Sequence, residues 1–436
     1  MHPFYQAFRD EALTYIEHAH HEPDCAHDGL RICVLGGTGH GDKARQLAFC
    51  GGVRDKFPDA HIFFLAMPFA AASGMVDYDM AWYAKQCGVV DAYYFMQATD
   101  REMLVGDLRG RFDLLYDTIP YAVKSYWNLE DPENVGLTPC RTQLQADQHL
   151  APYQWLYDGY PEHDHRLTQR TANVWDIMAR SADVDVTPWH LSLATPVECA
   201  PWPDEAELMT AINSKTLEPD GAIGLQTLIN STGSSDPKLL DLGYNGDYVM
   251  VHNSAGRQGQ TKVAPPEVFR AIISFLESEG IRAVQIGKLG ERELHKAAID
   301  RRGVRLPLVN QIMARPACLG LIGIDSLPMY MAFGLGKPAL ILWGSTRRDN
   351  FGLPQRLNLN LVRLNPDKRG GVHPPCPLGC CFRLPGYGRH CLMPDNREGP
   401  CLNILPPEDA ARAAVTFATH QRGLRDGTVK TEEAVA

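Results

Sequence analysis

Short apolar runs alternate with helix-like segments along most of the chain. Parallel strands are buried on both faces, so they read as near-continuous apolar runs, whereas covering helices show apolar residues at spacings of three and four. The pattern therefore predicts a parallel sheet with helices on its faces. Strands are predicted at residues 30–35, 61–66, 91–96, 112–116, 248–252, 281–287, 318–324 and 339–343, and helices at 4–19, 43–57, 266–280 and 406–421. A further short helix-like segment carries Met329, Met331 and Leu335.

The alternation is interrupted between residues 200 and 245, where proline, glycine, serine and asparagine break any long period. A chain of 436 residues is also too long for one ordinary core. We therefore predict an α/β protein with two Rossmann-like αβα domains that face a cleft. The predicted divisions are an N-terminal domain with its linker at 1–235, a C-terminal domain at 236–405, and a final helix and tail at 406–436.

Composition excludes several classes of function. Hydrophobic content of 44% and charged content of 22% are ordinary for a soluble globular protein. A formal net charge of −10 argues against nucleic acid as a partner, because binding phosphate backbones needs a basic face. No apolar run approaches the roughly 20 residues of a membrane helix, and the N-terminus lacks a secretory signal. We expect a cytoplasmic protein that does not span a membrane, with peripheral membrane attachment left open.

The first predicted strand ends in a glycine-rich turn, residues 36–42, that closes on Asp42. Its glycine spacing is neither that of a dinucleotide fingerprint nor that of a P-loop. An acid at the start of a helix is stabilised by the helix dipole, so Asp42 could serve only as an N-terminal capping residue. The same position also suits a general base, and the residues alone leave both roles open.

Polar turns follow three strands of the predicted second domain. In an open parallel sheet, ligands bind outside the carboxyl ends of the strands, so these turns are candidate positions for a nucleotide or sugar. A lone lysine before a helix is also common on a solvated surface, and any doubly wound domain can carry an acidic loop. The candidate residues are Ser254 and Lys262 after the first strand, Asp325 and Ser326 after the third, and Gly344 and Ser345 after the fourth.

Five of the twelve cysteines are concentrated in residues 376–401, and the other seven are scattered in mostly apolar settings that favour buried, reduced thiols. Four cysteines can form a tetrahedral zinc or iron site, which would be structural because it leaves no open position. Oxidisable or buried thiols are the alternative. The candidate ligands are Cys376, one of Cys380 and Cys381, Cys391 and Cys401, within a finger at 373–401.

Two regions resemble glycosyltransferase family 9, the ADP-heptose heptosyltransferases. The N-terminal likeness lies in the Gly41-Asp42 turn and in residues 57–62. The C-terminal likeness lies in residues 306–352, and its motifs are Leu306-Pro307-Leu308, Asp325-Ser326, Gly336-Lys337-Pro338, Gly344-Ser345-Thr346 and Phe351-Gly352. The cysteine region resembles the metal finger of the autotransporter heptosyltransferase branch, whose bound ion is iron.

The resemblance implies a GT-B fold and inverting transfer of a sugar, such as heptose, from a nucleotide-diphosphate donor to a hydroxyl on a protein or glycan. Asp42 would be the general base, Ser254 and Lys262 would bind the diphosphate, and no metal would be needed for the chemistry. The donor would further contact Asp325, Ser326, Leu327, Tyr330, Gly344 and Ser345.

Two positions depart from the family pattern, which has glycine and histidine where this chain has Leu327 and Tyr330. Glycine permits close backbone approach to a phosphate, and leucine does not. A non-catalytic protein of the same fold, with the cysteine finger as a docking or assembly module, is therefore one alternative. Another GT-B enzyme, such as a nucleotide-sugar epimerase, is a second. Assembly as a homo-oligomer is left open.

Overall fold

The computed structural model describes residues 29–37, 39–66, 80, 83–84, 87–95, 108, 112–118, 123–127, 173–191, 236–255, 262–346, 348–353, 371–372, 402 and 405–429. The chain divides into two compact units. The first unit comprises Met1–Leu150 and Met178–Thr232, and the second comprises Ala151–Ile177 and Gly233–Ala436. The predicted N-terminal helix at 4–19 and the cysteines of the predicted finger lie outside the described residues.

The first unit contains a five-stranded sheet in the order β3-β2-β1-β4-β5. All neighbouring strands are parallel except β4 and β5, which are antiparallel. Because strands are added on both sides of β1, the order reverses between β1 and β4, which makes their carboxyl ends a topological switch point. The elements are β1 Arg31–Gly36, α1 His40–Lys56, β2 His61–Ala66, β3 Ala92–Phe95, β4 Leu114–Asp117 and β5 Lys124–Trp127.

Helix α1 is buried from residue 43 to residue 53, on all of its faces. Two glycines permit this packing. A Cβ added at Gly51 would lie 2.2 Å from the His190 ring, and one added at Gly52 would lie 2.1 Å from the carbonyl oxygen of Asp185. The segment that contains the 3₁₀ helix Pro188–Leu191 therefore lies directly against the backbone of α1.

The second unit contains a six-stranded sheet in the order β11-β10-β9-β6-β7-β8, and all of its strands are parallel. Read from β8, this is the 3-2-1-4-5-6 order of a Rossmann fold, with its switch point between β6 and β9. Its elements are the 3₁₀ helix Pro237–Leu240, β6 Tyr248–His252, α3 Pro266–Ser278, β7 Arg282–Gly287, β8 Ile299–Arg302, α4 Leu306–Ala314, β9 Cys318–Ile324, α5 Leu327–Gly334, β10 Ala339–Leu342, α6 Arg348–Phe351, β11 Gly371–Val372 and α7 Pro407–Arg425. A further helix, α2 Val174–Ala182, spans the boundary that separates the two units along the chain.

The core of the second unit lies between its sheet and the helices α3 and α7. Every residue of β9 is buried, as expected of a central parallel strand. Helix α7 is fixed at its far end by Asp247, which pairs with both Arg422 and Arg425. These hydrogen-bonded guanidinium groups, Arg425 above all, lower the pKa of the Asp247 carboxyl.

The prediction of an α/β protein with parallel sheets is confirmed, and each predicted strand matches an observed one within two residues at either end. Besides the two 3₁₀ helices, six described elements were missed: the helices α2, α4 and α6, the half-exposed strand β8, the short strand β11, and β5, which reverses direction at the edge of the first sheet. The last helix extends to Arg425, beyond its predicted end at 421. None of the described helices is long and apolar enough to cross a membrane.

Candidate functional site

In the first unit, the glycine-rich turn after β1 is tied to the end of β4 by the side chain of Gln46. The backbone N–H of Gly37 donates to Gln46 Oε1 at 3.0 Å, and Gln46 Nε2 donates to the carbonyl of Thr118 at 3.1 Å. Thr118 in turn donates from both its backbone N–H and its hydroxyl to the carbonyl of Leu35. One buried glutamine therefore fixes the turn at the switch point of this sheet.

Asp42 lies in the first turn of α1, and its side chain is 38% exposed. Its Oδ1 pairs with the guanidinium of Arg45, one turn later on the same helix and almost fully buried. The other oxygen lies against Gly39, where an added Cβ would be 2.8 Å from Oδ2. Within the described residues, Arg45 is the hydrogen-bond partner of this carboxylate, so Asp42 does not make the backbone hydrogen bond of a capping residue. The geometry presents an oriented, solvent-accessible carboxylate beside the turn.

A fully buried carboxylate, Asp117, ends β4 next to this turn, and sequence reasoning missed both it and Gln46. Asp117 is in register with Leu35, the penultimate residue of β1. The available signal was an acidic residue that closes an otherwise apolar run, the same pattern that did identify Asp325 after β9.

In the second unit, Asn253 closes the loop that follows β6. Its Nδ2 donates to the carbonyl of Ala264 at 2.8 Å, and its Oδ1 accepts from the N–H of Ala264 at 2.9 Å. This two-point contact brings both ends of the loop together just before α3. Lys262 is therefore held close to the carboxyl ends of the strands, and Ser254, which is half-buried, lies at the start of the same loop.

Lys262 and Asp325 form a largely buried ion pair at the switch point. Lys262 Nζ lies 2.8 Å from Asp325 Oδ2, and the two side chains are 17% and 4% exposed. The hydroxyl of Tyr330 donates to the other oxygen, Asp325 Oδ1, at 3.3 Å. The ammonium group also lies 5.9 Å from the ring centroid of Phe351. A cation that is held at the carboxyl edge of a Rossmann-like sheet is well suited to bind a phosphate group.

Ser326, His252 and Glu291 form a chain that superficially matches a serine hydrolase triad. Ser326 Oγ donates to the carbonyl of Ile324 at 3.1 Å and lies 3.0 Å from His252 Nδ1, while His252 Nε2 is 3.8 Å from Glu291 Oε2. The 3.8 Å separation of His252 and Glu291 is too long for the hydrogen bond that orients the base in a triad, so the chain lacks the geometry that activates a serine nucleophile. Burial lowers the pKa of the His252 imidazole, so the ring is neutral at pH 7.

The turn after β10 is the third polar turn at the carboxyl edge of the sheet in the second unit. Gly344 is buried, and Ser345 and Thr346 are fully buried. Within the described residues, Thr346 Oγ1 has no hydrogen-bond partner. The structure brings Lys262, Asp325 and Tyr330 into one hydrogen-bonded cluster, while the neighbouring Ser326 contacts His252 and the carbonyl of Ile324. Ser254, Leu327, Gly344 and Ser345 follow or flank the same strand ends, whereas Asp42 belongs to the first unit.

No metal-ligating group of three or more His, Cys, Asp or Glu residues occurs in the part of the chain that the structure describes. The predicted ligands Cys376, Cys380, Cys391 and Cys401, and the alternative Cys381, lie outside that part. Four scattered cysteines are described, and all are free thiols. Burial raises the pKa of the Cys318 thiol to about 11, which keeps it protonated and unreactive, as the sequence predicts for the scattered group.

Comparison with known proteins yields no matching family model and no matching curated protein. Solved structures similar to this chain include family 9 glycosyltransferases. A family 9 glycosyltransferase from Veillonella parvula is 14% identical and has a TM-score of 0.48, with 90% of this chain and 98% of that chain covered. ADP-heptose LPS heptosyltransferase II of E. coli is 15% identical, with a TM-score of 0.44 and coverage of 90% and 100%. The iron-containing dodecameric glycosyltransferase TibC of enterotoxigenic E. coli is 10% identical, with a TM-score of 0.46 and coverage of 90% and 77%.

Proposed function

We propose that this protein is an inverting glycosyltransferase that moves a sugar from a nucleoside-diphosphate donor to a hydroxyl on a protein or glycan acceptor. The observation that carries the proposal is the Lys262–Asp325 pair at the switch point between β6 and β9. A nucleotide bound at this edge would place its phosphates beside an oriented ammonium group. Ser254, Ser326, Leu327, Gly344 and Ser345 are the proposed further contacts of the donor, and Tyr330 contributes through Asp325.

In the proposed reaction, the acceptor oxygen attacks the anomeric carbon of the sugar while its proton passes to the carboxylate of Asp42. The bond between the anomeric carbon and the diphosphate oxygen breaks, and its electron pair leaves with the diphosphate. The positive charge of Lys262 stabilises the negative charge that develops on that leaving group. Attack from the face opposite the leaving group inverts the configuration. Heptose is the sugar proposed first, because the sequence motifs resemble heptosyltransferases.

The decisive experiment measures transfer and binding separately. Calorimetry with a panel of nucleoside diphosphates should detect binding that Lys262→Met abolishes and that Lys296→Met, at an exposed lysine of the same unit, leaves intact. Sugar transfer from ADP-heptose and other nucleotide sugars should then be lost in Asp42→Asn, by about a hundredfold or more for removal of a general base. Asp59→Asn is the matched control, because Asp59 is exposed. A transfer rate that Asp42→Asn leaves unchanged would exclude the proposed base.

A non-catalytic protein of the same fold is the second candidate. The observation that favours it is the start of α5, where Pro328 lacks a backbone N–H and Leu327 places a side chain at the first helical position. The missing N–H of Pro328 and the side chain of Leu327 both make the N-terminus of α5 a weaker site for an anion. This candidate predicts that the wild-type protein binds no nucleoside diphosphate in the same calorimetric panel.

We also propose a structural iron or zinc ion held by Cys376, one of Cys380 and Cys381, Cys391 and Cys401, on the basis of their number and spacing. Metal analysis of the purified protein should find about one ion per chain. The double variant Cys376→Ser, Cys391→Ser should lose the ion and melt at a lower temperature. Cys318→Ser, at a buried thiol elsewhere in the chain, should keep it. Equal metal content in the wild type and the double variant would remove the proposed site.

A further inference from the structure

Tyr330 carries a polar group that the proposed reaction does not use directly. Only 1% of the residue is exposed, so its ring offers no surface to a donor. Its hydroxyl nevertheless donates to Asp325 Oδ1 at 3.3 Å. Because Tyr330 and Asp325 are both buried, this hydrogen bond indicates that the Tyr330 hydroxyl fixes the orientation of the Asp325 carboxylate.

The ring of Tyr330 is held by two aromatic neighbours from its own unit. Its centroid lies 6.0 Å from that of Trp175 and 6.3 Å from that of Phe333, which it meets nearly edge to face. Trp175 is itself fixed, because its backbone N–H donates to Asn173 Oδ1 at 2.9 Å while Asn173 Nδ2 donates to the carbonyl of Gly352 at 2.9 Å. Since the ring cannot turn freely, the position of the hydroxyl is fixed relative to Asp325.

Asp325 has each of its carboxylate oxygens engaged by the protein itself. Tyr330 binds Oδ1, and Lys262 binds Oδ2 at 2.8 Å. The side chain is 4% exposed, so it presents almost no surface to a sugar hydroxyl. The accessible end of the cluster is Lys262, whose side chain is 17% exposed. The chain of contacts therefore runs from the aromatic ring through the carboxylate to the ammonium group.

We infer that Tyr330 is a positioning residue that acts through Asp325 to hold the Lys262 ammonium in place, and that Lys262, rather than Asp325, meets the ligand. The identity of that ligand as a nucleoside diphosphate rests on the proposed function. The positioning role itself is a property of the unliganded protein. Removal of the hydroxyl leaves Oδ1 without one donor and lets the carboxylate rotate, which loosens its hold on Lys262.

The first test measures the reactivity of the Lys262 amine in the full-length protein without ligand. Acetylation by an N-hydroxysuccinimide ester is followed site by site with mass spectrometry. We expect Tyr330→Phe to accelerate modification of Lys262 by about three- to tenfold, as loss of part of a charged hydrogen bond would allow. Lys337, whose ammonium is bound by the carbonyls of Arg315 and Cys318, reports any general loosening of the unit and should keep its rate.

Tyr248→Phe is the matched control. Tyr248 is equally buried in the same unit, and its hydroxyl donates to the carbonyl of Ile312 at 2.8 Å, away from the cluster. The control removes one buried hydroxyl without touching Asp325, so the Lys262 rate should equal that of the wild type. A Tyr330→Phe variant that modifies Lys262 no faster than Tyr248→Phe would overturn the inference.

The second test measures whether Tyr330 affects the Lys262 modification rate through Asp325. If Tyr330 works through Asp325, Tyr330→Phe should change the Lys262 rate much less in an Asp325→Asn background than in the wild type. Equal changes in both backgrounds would contradict the inference.

Titration with ADP then links the result to function, with affinity about three- to tenfold weaker in Tyr330→Phe and unchanged in Tyr248→Phe. If the wild type binds none of the nucleoside diphosphates, the proposed function fails, while the modification rates still decide the role of Tyr330.

Discussion

Replacement of Lys262 by methionine should destabilise the second unit far more than loss of a surface ion pair would. The substitution keeps most of the apolar volume but leaves the Asp325 carboxylate, 4% exposed, without its counter-charge. The Tyr330 hydroxyl, which donates to Oδ1, is neutral and does not replace that charge. Loss of one partner from a buried ion pair costs about 3–5 kcal/mol, because the other charge stays buried and unpaired.

The size of the effect can be converted into a melting shift. For a unit of roughly 150–250 residues, each kcal/mol lowers the midpoint by about 2–4 °C, so Lys262→Met should lower it by roughly 6–20 °C. Differential scanning calorimetry of the full chain is the appropriate assay, since two units need not melt together. Glu277→Gln is the matched control. It breaks the exposed pair with Arg282, 2.8 Å long and 36% and 43% exposed, which should be worth less than about 1 kcal/mol.

A double variant separates charge burial from lost packing. In Lys262→Met, Asp325→Leu no charge remains in the cluster, so most of the lost stability should return. If Lys262→Met melts at the same temperature as Glu277→Gln, or if the double variant is no more stable than the single one, the description of a buried, mutually dependent pair is wrong.

Three further predictions follow from contacts elsewhere in the protein. Asp247→Asn should lower stability near pH 7 and flatten the acid limb of the stability profile. The Asp247 pKa is lowered in the folded state, so its contribution is present above its unfolded pKa, taken as 3.8, and is lost as the pH falls through the folded value. His252→Gln should lose less stability than the wild type as the pH falls below 6.5. In the wild type, the unfolded chain binds a proton on this imidazole, whereas burial lowers the imidazole pKa in the folded protein and disfavours that proton. Chemical denaturation from pH 3 to pH 8 checks both, and profiles parallel to the wild type would contradict them. Gln46→Leu should remove two buried hydrogen bonds from the first unit and cost about 2–4 kcal/mol by calorimetry, whereas Gln421→Leu on the last helix should cost less than about 0.5 kcal/mol. Equal shifts for the two glutamine variants would show that Gln46 does not fix the turn.

Much of the fold could be predicted from the amino-acid order because the strands are parallel and buried. Residues 318–324 form an uninterrupted apolar run, and the structure buries every one of them in β9. The half-exposed strand β8 carries Asp300, Arg301 and Arg302, so it shows no such run and was missed. The position of a polar residue directly after an apolar run was equally informative, since Asp325 and Ser326 do lie at the carboxyl edge of the sheet.

The pairing of side chains across the sheet could not be read in the same way. Lys262 and Asp325 are 63 residues apart along the chain, and Gln46 and Thr118 are 72 apart. Each pair meets only because strand order reverses at a switch point, which depends on the topology of the whole sheet. Tyr330 shows the limit most clearly, because its sequence position indicated a ligand contact, whereas its burial assigns its hydroxyl to Asp325.

Local sequence thus determined where strands end and which polar residues follow them, because burial on both faces of a parallel strand demands an apolar run. Tertiary structure decided which of those residues lie in contact, which remain exposed to solvent and which pair with each other through hydrogen bonds or ion pairs. The physical reason is that hydrogen bonds and ion pairs form only within a few ångströms, and such distances are set by the packing of elements that lie far apart in the chain.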